Sequence, residues 1–380
     1  MLRIFQTGDN HIGLKYAGYA QGPKLAERRI EALRELVRRA NELECDLFAV
    51  AGDLFHSRRG IGRQAAAQAA EILAEFEEQV LVLPGNHDYY SPRGGGEAKN
   101  VWDYFQEAAG DNTLLLTEYR PYELTVRDER VIVYPAPCRT KHSQPGENHL
   151  GWIREEAIRP DAAYRVGMAH GAVEGQTIDS EGCYFLMSRK ELESIPVDVW
   201  LIGHTHVPFP ELGTDAFREG GRIFNAGTHL QTDAACRAEG GGFLLELNSG
   251  SGQKRVRARR VPAGGLRFHR KTLSVRPGEA LSALLERELR EIPDESVVDL
   301  ILTGAVSEED YQNRRRIVDG ALARFLDRGL TDDSALSPLL TEERIKREYA
   351  ETSFTARLLL RLLDQPKEAQ MVYDLLRECR

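Results

Sequence analysis

The chain lacks the sequence features of membrane and secreted proteins. No stretch of its 380 residues approaches about 18 uncharged apolar residues, the length that a membrane-spanning helix needs. The first residues also lack the apolar region, roughly 7–15 residues long, of a signal peptide, and Leu2–Thr7 has the pattern of a first strand instead. We therefore expect a cytoplasmic protein that does not associate with membranes.

Cysteines are few and follow no spacing rule. There are five, an odd number, and none belongs to a CxxC pair; they are Cys45, Cys138, Cys183, Cys236 and Cys379. This pattern argues against a disulfide framework and against a zinc site built from thiolates. It is typical of a protein from a reducing compartment.

The chain also has no excess of basic over acidic residues. The formal net charge is −9 at pH 7, whereas a protein whose whole surface attracts nucleic acid is normally basic. Any contact with nucleic acid must therefore come from local patches of positive charge.

Strand and helix patterns alternate over the first 250 residues. Leu47–Ala51 and Val80–Leu83 are short apolar runs, which suit strands that are buried on both faces. Between the first two strands, apolar residues recur at helical spacing from Leu25 to Leu43. Alternation of this kind indicates a layered α/β fold.

Length and composition predict more than one domain. At about 150 residues per domain, the chain corresponds to two or three. The pattern changes near Asn248, after which Lys254–Lys271 carries eight Lys and Arg and no acid. This basic segment either lies along a duplex or forms an exposed hairpin. Gly329–Pro338 has the composition of a linker, and a helical pattern follows it. The predicted domains are 1–252, 253–333 and 334–380.

Six of the ten histidines lie at or just beyond predicted strand ends. They occur in the motifs Asp9-Asn10-His11, Asp53-Leu54-Phe55-His56, Gly85-Asn86-His87-Asp88, His170-Gly171 and Gly203-His204-Thr205-His206. In open α/β sheets, ligands bind at the carboxyl ends of the strands. Two of the motifs also carry ligand-type side chains at i and i+2, which point the same way in an extended segment.

Together the motifs offer seven candidate metal ligands: Asp9, His11, Asp53, Asn86, His170, His204 and His206. Each motif alone is usually a surface turn or a capping residue, but five of them in one chain are hard to treat as independent. Seven ligands suit two ions that share a carboxylate. Nitrogen and oxygen donors without thiolate favour Mn²⁺, Fe²⁺ or Zn²⁺. Two such ions about 3.5–4 Å apart commonly promote attack on phosphorus.

This set of motifs resembles the calcineurin-like metallophosphoesterase superfamily and, within it, the SbcD-type nucleases of DNA double-strand-break repair. The resemblance covers about residues 1–250. It implies a four-layer α/β/β/α sandwich, followed by a small α/β capping domain and a C-terminal helical segment. His56, three residues after Asp53, occurs at a position that part of the nuclease family uses.

The resemblance also implies a role for each motif residue. One ion would be held by Asp9, His11 and His206, the other by Asn86, His170 and His204, and Asp53 would bridge the two. His87 would protonate the leaving oxygen, Asp88 would orient His87, and His56 would contact the phosphate or assist departure. The implied reaction is attack of hydroxide on a DNA phosphodiester, with two divalent ions, expected to be Mn²⁺, as cofactors.

Arginines near these motifs are candidate contacts to DNA phosphates. Arg58, Arg59 and Arg63 follow His56 with no acid between Leu54 and Ala70, and Arg93 follows the GNHD motif. Such contacts position a duplex without reading its sequence. A solvated loop with arginines is the equally good alternative.

The C-terminal helices are a candidate docking site. Their apolar residues recur at near-helical spacing: Phe354, Leu358, Leu359, Leu362 and Leu363, then Met371, Val372, Leu375 and Leu376. They either pack on the capping domain or, as the resemblance implies, grip an SbcC-like ATPase of the SMC and ABC type. A homodimer is a further possibility that the resemblance raises.

Two other functions stay open at this stage. A small-molecule metallophosphoesterase, acting on a nucleotide or a lipid diphosphate, would use the same fold. A non-catalytic scaffold subunit at DNA ends would not need the complete ligand set or His87. His56, the arginines and the C-terminal extension favour the DNA exo/endonuclease.

Overall fold

The computed structural model describes residues 1–92, 98–155, 158–159, 161–176, 179, 182–248, 254–276 and 278–378. The chain divides into two units. The first contains Met1–Ala17 and Gly22–Leu266, and the second contains Gly18–Gln21 and Arg267–Arg380. This division differs from the three predicted domains, because the strand after residue 253 belongs to the first unit and the C-terminal helices belong to the second.

One sheet of the first unit has seven strands. In order across the sheet they are β4 (Thr113–Leu115), β3 (Gln79–Leu83), β2 (Leu47–Ala51), β1 (Leu2–Thr7), β11 (Gly241–Leu247), β12 (Val256–Pro262) and β9 (Arg218–Glu219). β1, β2, β3 and β4 pair in parallel, whereas β11 is antiparallel to β1. The carboxyl ends of β1, β2 and β3 therefore meet at one edge.

The other sheet of this unit has five strands. In order they are β10 (Ile223–Asn225), β8 (Val199–Gly203), β7 (Tyr164–His170), β6 (Glu129–Ala136) and β5 (Tyr122–Val126). The first four of these pair in parallel. This sheet therefore also brings the carboxyl ends of several strands to one edge.

The two sheets share a buried core. Ile4 of β1 and Val166 of β7 belong to one apolar cluster with residues of both sheets. The buried Gln6 amide adds a polar link, since its Nε2 donates to the carbonyl oxygens of Ile202 at 3.1 Å and Phe224 at 2.9 Å. These contacts hold the end of β1 next to the ends of β8 and β10.

The described part of the first unit contains five helices: α1 (Gly22–Glu42), α2 (Arg63–Ala74), α3 (Val101–Ala108), α4 (Gly151–Glu155) and α5 (Arg189–Ser194). Ile153 of α4 and Leu192 of α5 share a buried cluster with Tyr134 and Trp200 of the second sheet. α1 buries the apolar stripe that its sequence spacing predicts. The predicted mixed α/β fold is confirmed.

The second unit has a parallel sheet of three strands, β13 (Arg267–Val275), β14 (Ser296–Val306) and β15 (Thr331–Pro338). Helices α6 (Leu281–Leu289) and α7 (Glu308–Leu322) share a buried cluster with this sheet. The last helices, α8 (Glu342–Glu348), α9 (Phe354–Leu362) and α10 (Pro366–Glu378), form a smaller cluster around Ile345, Leu359 and Tyr373.

Two predictions made from composition are wrong. Gly329–Pro338 is not a linker, because Thr331–Pro338 pairs with β14 as an edge strand whose first residues are polar and exposed. Lys254–Lys271 is not a hairpin, because its two strands pair in different sheets, β12 with β11 and β13 with β14. β13 and β15 pair with β14 across 29 or more residues, which local composition cannot show, whereas β12 pairs with the strand directly before it.

Within the described parts of the chain, none of the helices combines the length and the apolar character that crossing a bilayer requires.

Candidate metal centre

The predicted ligand motifs all lie at the carboxyl ends of strands in the two sheets of the first unit. His11 follows β1, Asp53 follows β2 and Asn86 follows β3 of the first sheet, whereas His170 ends β7 and His204 follows β8 of the second. Because the two sheets share a buried core, the loops of both contribute to one site.

Asp9, His11 and His206 form one group. One ligand atom from each lies within 4.8 Å of the other two. The Nε2 atoms of His11 and His206 are 3.0 Å apart, and the backbone N–H of His204 donates to both Asp9 carboxylate oxygens at 3.0 and 3.1 Å. Two imidazole nitrogens and a carboxylate thus converge on one point.

Asn86, His170 and His204 form the second group. The Asn86 Oδ1 atom lies 3.0 Å from His170 Nε2 and 3.2 Å from His204 Nδ1. The other ring nitrogen of His170 lies 2.9 Å from the carbonyl oxygen of Ala51. A hydrogen bond of this kind keeps the proton on Nδ1, so that Nε2 is the ligating atom once the ring is neutral.

Asp53 lies between the two groups. Its Oδ2 atom is 3.4 Å from His170 Nε2 and 3.8 Å from His11 Nε2, and its Oδ1 atom accepts a hydrogen bond from the His87 backbone N–H at 2.8 Å. The structure therefore brings all seven predicted ligands to one site, in which His204 and His206 are partly exposed and the carboxylate of Asp53 lies at the centre.

Two glycines allow this close approach. A Cβ atom on Gly52, where φ is +91°, would lie 2.0 Å from His170 Nδ1, and one on Gly85 would lie 2.2 Å from Asp53 Oδ1. Both distances are too short for any side chain. The glycines of the GD and GNHD motifs are thus required by the packing of the ligands themselves.

Burial and charge set the pKa values of the metal-free site. Burial raises the pKa of Asp9, lowers that of His11, and lowers that of His204 to about 3. Burial also raises the Asp53 pKa, but His170 and His11 outweigh this effect and hold it well below its usual range. Burial lowers the His170 pKa, yet Asp53, Asp9 and the Ala51 carbonyl together raise it to about 9.

His87 and His56 lie beside the first group. The His87 ring centroid is 4.8 Å from that of His11, and its Nδ1 atom is 3.1 Å from the His56 carbonyl oxygen. The Nδ1 atom of His56 lies 3.4 Å from that of His11. Both histidines for which a catalytic role is expected therefore lie at the site, and the Nδ1 atom of His87 is the ring nitrogen that meets the backbone.

The predicted role of Asp88 needs correction. Its Oδ2 accepts from the Phe55 backbone N–H at 2.9 Å and its Oδ1 from that of Gly85 at 2.7 Å, and no hydrogen bond joins it to the His87 ring in the described structure. Burial and the Asp53 charge raise its pKa to about 8. Asp88 therefore ties two ligand loops together, and the His56 carbonyl orients His87.

The predicted DNA-contacting arginines are placed differently from one another. Arg58 is buried behind His87, to whose carbonyl oxygen its backbone N–H donates at 3.0 Å, and Arg59 is exposed next to it. Arg63 begins α2 and lies 3.6 Å from the Glu107 carboxylate. Arg93 lies outside the described residues.

Sequence reasoning did not find every side chain at the site. The Tyr184 ring lies 5.1 Å from the His204 ring, and Thr228 donates its hydroxyl hydrogen to Asp9 O or Leu230 O, at 2.9 and 2.7 Å. Both residues belong to loops without a recognisable pattern. Arg29 of α1, which donates to the Asp9 carbonyl oxygen at 3.2 Å, is a third.

The donor set fits divalent metal ions. Imidazole nitrogens, carboxylate oxygens and an amide oxygen converge without thiolates, as first-row metals of borderline character prefer. The metal-free site also holds a protonated His170 against the ionised Asp53, so positive charge is favoured at its centre.

Comparison with known proteins agrees with this chemistry. A family model described as calcineurin-like phosphoesterase matches residues 2–208, which include every predicted metal ligand.

Solved structures with a similar arrangement include phosphatases. A dimetal phosphatase from Danio rerio shares 13% identity at a TM-score of 0.36, with 69% of this chain and 96% of that chain covered. Purple acid phosphatase PPD1 from yellow lupin (Lupinus luteus) seeds shares 13% identity at a TM-score of 0.37, with 69% of this chain and 51% of that chain covered. The protein TT1561 of Thermus thermophilus shares 15% identity at a TM-score of 0.37, with 60% of this chain and 89% of that chain covered. All three TM-scores are below 0.5, so the family of this chain is shown by the family model and not by these structures.

We predict that Mn²⁺ binding releases a proton. At pH 7 the metal-free His170 is protonated because its pKa is about 9, whereas His11 and His204 are already neutral. A ligating imidazole must be neutral, so affinity should rise by about tenfold per pH unit up to pH 9. Calorimetry at pH 7 in two buffers of different ionisation enthalpy counts the protons.

A histidine outside the site provides the control. His149 packs against the rings of Tyr119 and Phe185, so His149→Asn should leave the number of released protons unchanged. Binding of Mn²⁺ without proton release at pH 7 would contradict the charge state that we assign to His170.

Proposed function

Since the chain belongs to the calcineurin-like phosphoesterase family, we propose that it is a DNA phosphodiesterase, the exo/endonuclease subunit of an SbcCD-like repair complex. The metal-dependent phosphoesterase chemistry rests on the family and on the His and Asp clusters. The observation that supports a DNA substrate is a cationic recess lined by Arg58, Arg59 and Lys99, in which the backbone N–H of Arg58 donates to the His87 carbonyl oxygen.

The metal ions would be held as the motifs suggest. Asp9, His11 and His206 would bind one ion, Asn86, His170 and His204 the other, and Asp53 both. When bound, two divalent ions, which we propose to be Mn²⁺, supply a hydroxide nucleophile at neutral pH and neutralise charge on the phosphoryl oxygens.

His87 would act as the general acid. Its Nδ1 hydrogen bond to the His56 carbonyl holds the ring and leaves Nε2 to protonate the departing sugar oxygen. A sugar alkoxide is a poor leaving group without that proton, and a positioned acid contributes roughly 10²–10⁴-fold. His56, whose side chain lies at the same edge, would contact the phosphate.

The cationic recess supports a polyanionic substrate. Arg58, Arg59 and Lys99 line a cavity of 280 Å³. Arg58 is 9% exposed, its Nη2 donates to the Ser91 carbonyl at 3.3 Å, and its buried Nε has no hydrogen-bond partner in the described structure. The exposed side chains of Arg59 and Lys99 at this cavity are the candidate contacts for phosphate oxygens beyond the scissile one.

The second unit would serve the same substrate and a partner. We propose that its α/β part is the capping domain of a four-layer catalytic sandwich. α8, α9 and α10 bury their own cluster, yet leave Phe354, Met371 and Leu375 exposed by 80, 60 and 53%. These side chains would be the apolar anchors for an SbcC-like ATPase, docked as helices in a groove.

The substrate is tested by direct comparison. With Mn²⁺, the purified protein should cleave labelled linear and hairpin duplexes as well as a bis-aryl phosphodiester. Chelation should abolish both activities and Mn²⁺ should restore them, because the motifs contain no Ser or Cys paired with a base. Hydrolysis of the diester alone would indicate a small-molecule enzyme, and activity after exhaustive chelation would refute the metal mechanism.

His87→Ala should retain metal and lose turnover. Loss of the general acid should lower kcat by about 10²–10⁴-fold, while elemental analysis should find the same metal content as in the unmodified protein. His269→Ala, in the second unit, is the matched control and should change neither value. Loss of bound metal in His87→Ala would mean that His87 is a ligand.

Removing the exposed anchors should abolish partner binding. A triple variant, Phe354→Ser, Met371→Gln and Leu375→Gln, should lose co-purification with the ATPase and ATP-stimulated duplex cleavage but keep diester turnover. Truncation after Asp333 would be less clean, since it cuts β15. Leu330→Gln, 60% exposed in the same unit, is the control. Retained co-purification, or a large fall in melting temperature, would contradict the docking role.

A further inference from the structure

An arginine is buried on the apolar face of α1. Arg29 lies four residues from both Leu25 and Leu33, which are core residues, and its side chain is fully buried as well. Charged side chains are almost never fully buried without a compensating partner. The partners of Arg29 therefore indicate why an arginine occupies this position.

Within the described residues, the hydrogen-bond acceptors of the Arg29 guanidinium are all neutral oxygen atoms. They are the carbonyl oxygens of Asn10 (2.5 Å), Asp9 (3.2 Å), Leu230 (2.9 Å) and Gln231 (3.4 Å) and the hydroxyls of Thr228 (3.0 Å) and Tyr16 (3.1 Å). Two short segments supply most of them, one that contains Asp9 and Asn10 and one that spans 228–231.

The first segment is the strained turn that carries two predicted ligands. Asp9 and His11 have φ values of 49° and 44°, in the left-handed region that non-glycine residues rarely adopt. Such conformations persist only when the surroundings determine them. The Asp9 and His11 N–H groups donate to the carbonyl oxygens of Gly52 and Asp53, and Arg29 binds the Asp9 and Asn10 carbonyls.

The second segment connects the turn to the third ligand. Thr228 accepts from Arg29 Nη2, its hydroxyl lies 2.9 Å from the Asp9 carbonyl, and its N–H donates to the His206 carbonyl at 3.4 Å. Arg29 is thus hydrogen-bonded to the backbone next to Asp9 and, through Thr228, to the backbone of His206.

We propose that Arg29 is a positioning residue that sets the geometry of the Asp9, His11 and His206 metal site. The planar guanidinium presents five donors in a fixed fork, which lets one side chain hold several carbonyls at defined angles. The inference rests on the proposed metal roles of Asp9, His11 and His206. It does not depend on whether the substrate is DNA.

The direct test replaces Arg29 by a side chain of similar length without donors. In Arg29→Met, calorimetric titration of the full chain with Mn²⁺ should show one site weakened by about 10- to 100-fold and the other little changed. Electron paramagnetic resonance of the Mn²⁺-loaded protein should then show loss of the coupled two-ion signal at concentrations that fill both sites of the unmodified chain.

A second arginine gives a matched control. Arg222 donates to the carbonyl oxygens of Ile195 and Val197, before β8 begins and away from its carboxyl end. Arg222→Met should lower the melting temperature and leave both Mn²⁺ affinities unchanged. A purely structural role for Arg29 predicts the same result for Arg29→Met, and that result would overturn the proposal.

Two further variants decide the case if Arg29→Met does not fold. Arg29→Lys keeps the charge without the fork, so one Mn²⁺ site should still be weakened; wild-type affinity at both sites would overturn the proposal. Low-millimolar guanidinium should restore part of the lost Mn²⁺ affinity in Arg29→Ala, whereas the same concentration of sodium should not.

The outcome separates this inference from the proposed function. An unmodified chain that binds two Mn²⁺ ions but does not cleave DNA would refute the nuclease, while weakening of one site in Arg29→Met would still support the positioning role. If the unmodified chain bound no Mn²⁺, both would fail.

Discussion

The buried carboxylate of Asp53 is the group on which the site depends. Its Oδ2 lies between His170 and His11, and its Oδ1 accepts from the backbone N–H of His87. A carboxylate buried at this depth must be compensated by positive charge or by hydrogen bonds. In the metal-free protein His170 supplies that charge, so the site is arranged around a cation before any metal is bound.

The surrounding fold brings donors to this carboxylate from two sheets. Parallel pairing aligns the carboxyl ends of β1, β2 and β3, and separately those of β7 and β8. The shared core and the Gln6 amide keep the two edges together. Asp88 then ties the loop after β2 to the loop after β3 through backbone hydrogen bonds, so that Asp53 and Asn86 are held at a defined separation.

Much of this could be predicted because it depends on local sequence. Buried parallel strands are apolar runs, so Leu47–Ala51 and Val80–Leu83 were identifiable without neighbours. Residues that follow such strands fall at one edge of their own sheet whatever the details of the loops, so the sequence could group the candidate ligands of each sheet. That the two edges adjoin follows from the core that the sheets share. The apolar spacing of α1 likewise predicted its buried face, although it did not explain why Arg29 lies on that face.

The α/β class, the strand ends that carry chemistry and the types of donor available there all follow from the amino-acid sequence alone. Which backbone groups those side chains meet depends on how the chain folds. The Asp88 carboxylate accepts from two backbone N–H groups instead of binding the His87 ring, Arg29 donates to the Asp9 carbonyl oxygen, and Thr331–Pro338 pairs as an edge strand. Each involves a partner 20 or more residues away, Phe55 in the case of Asp88, and a contact at that separation leaves no periodic pattern in the chain.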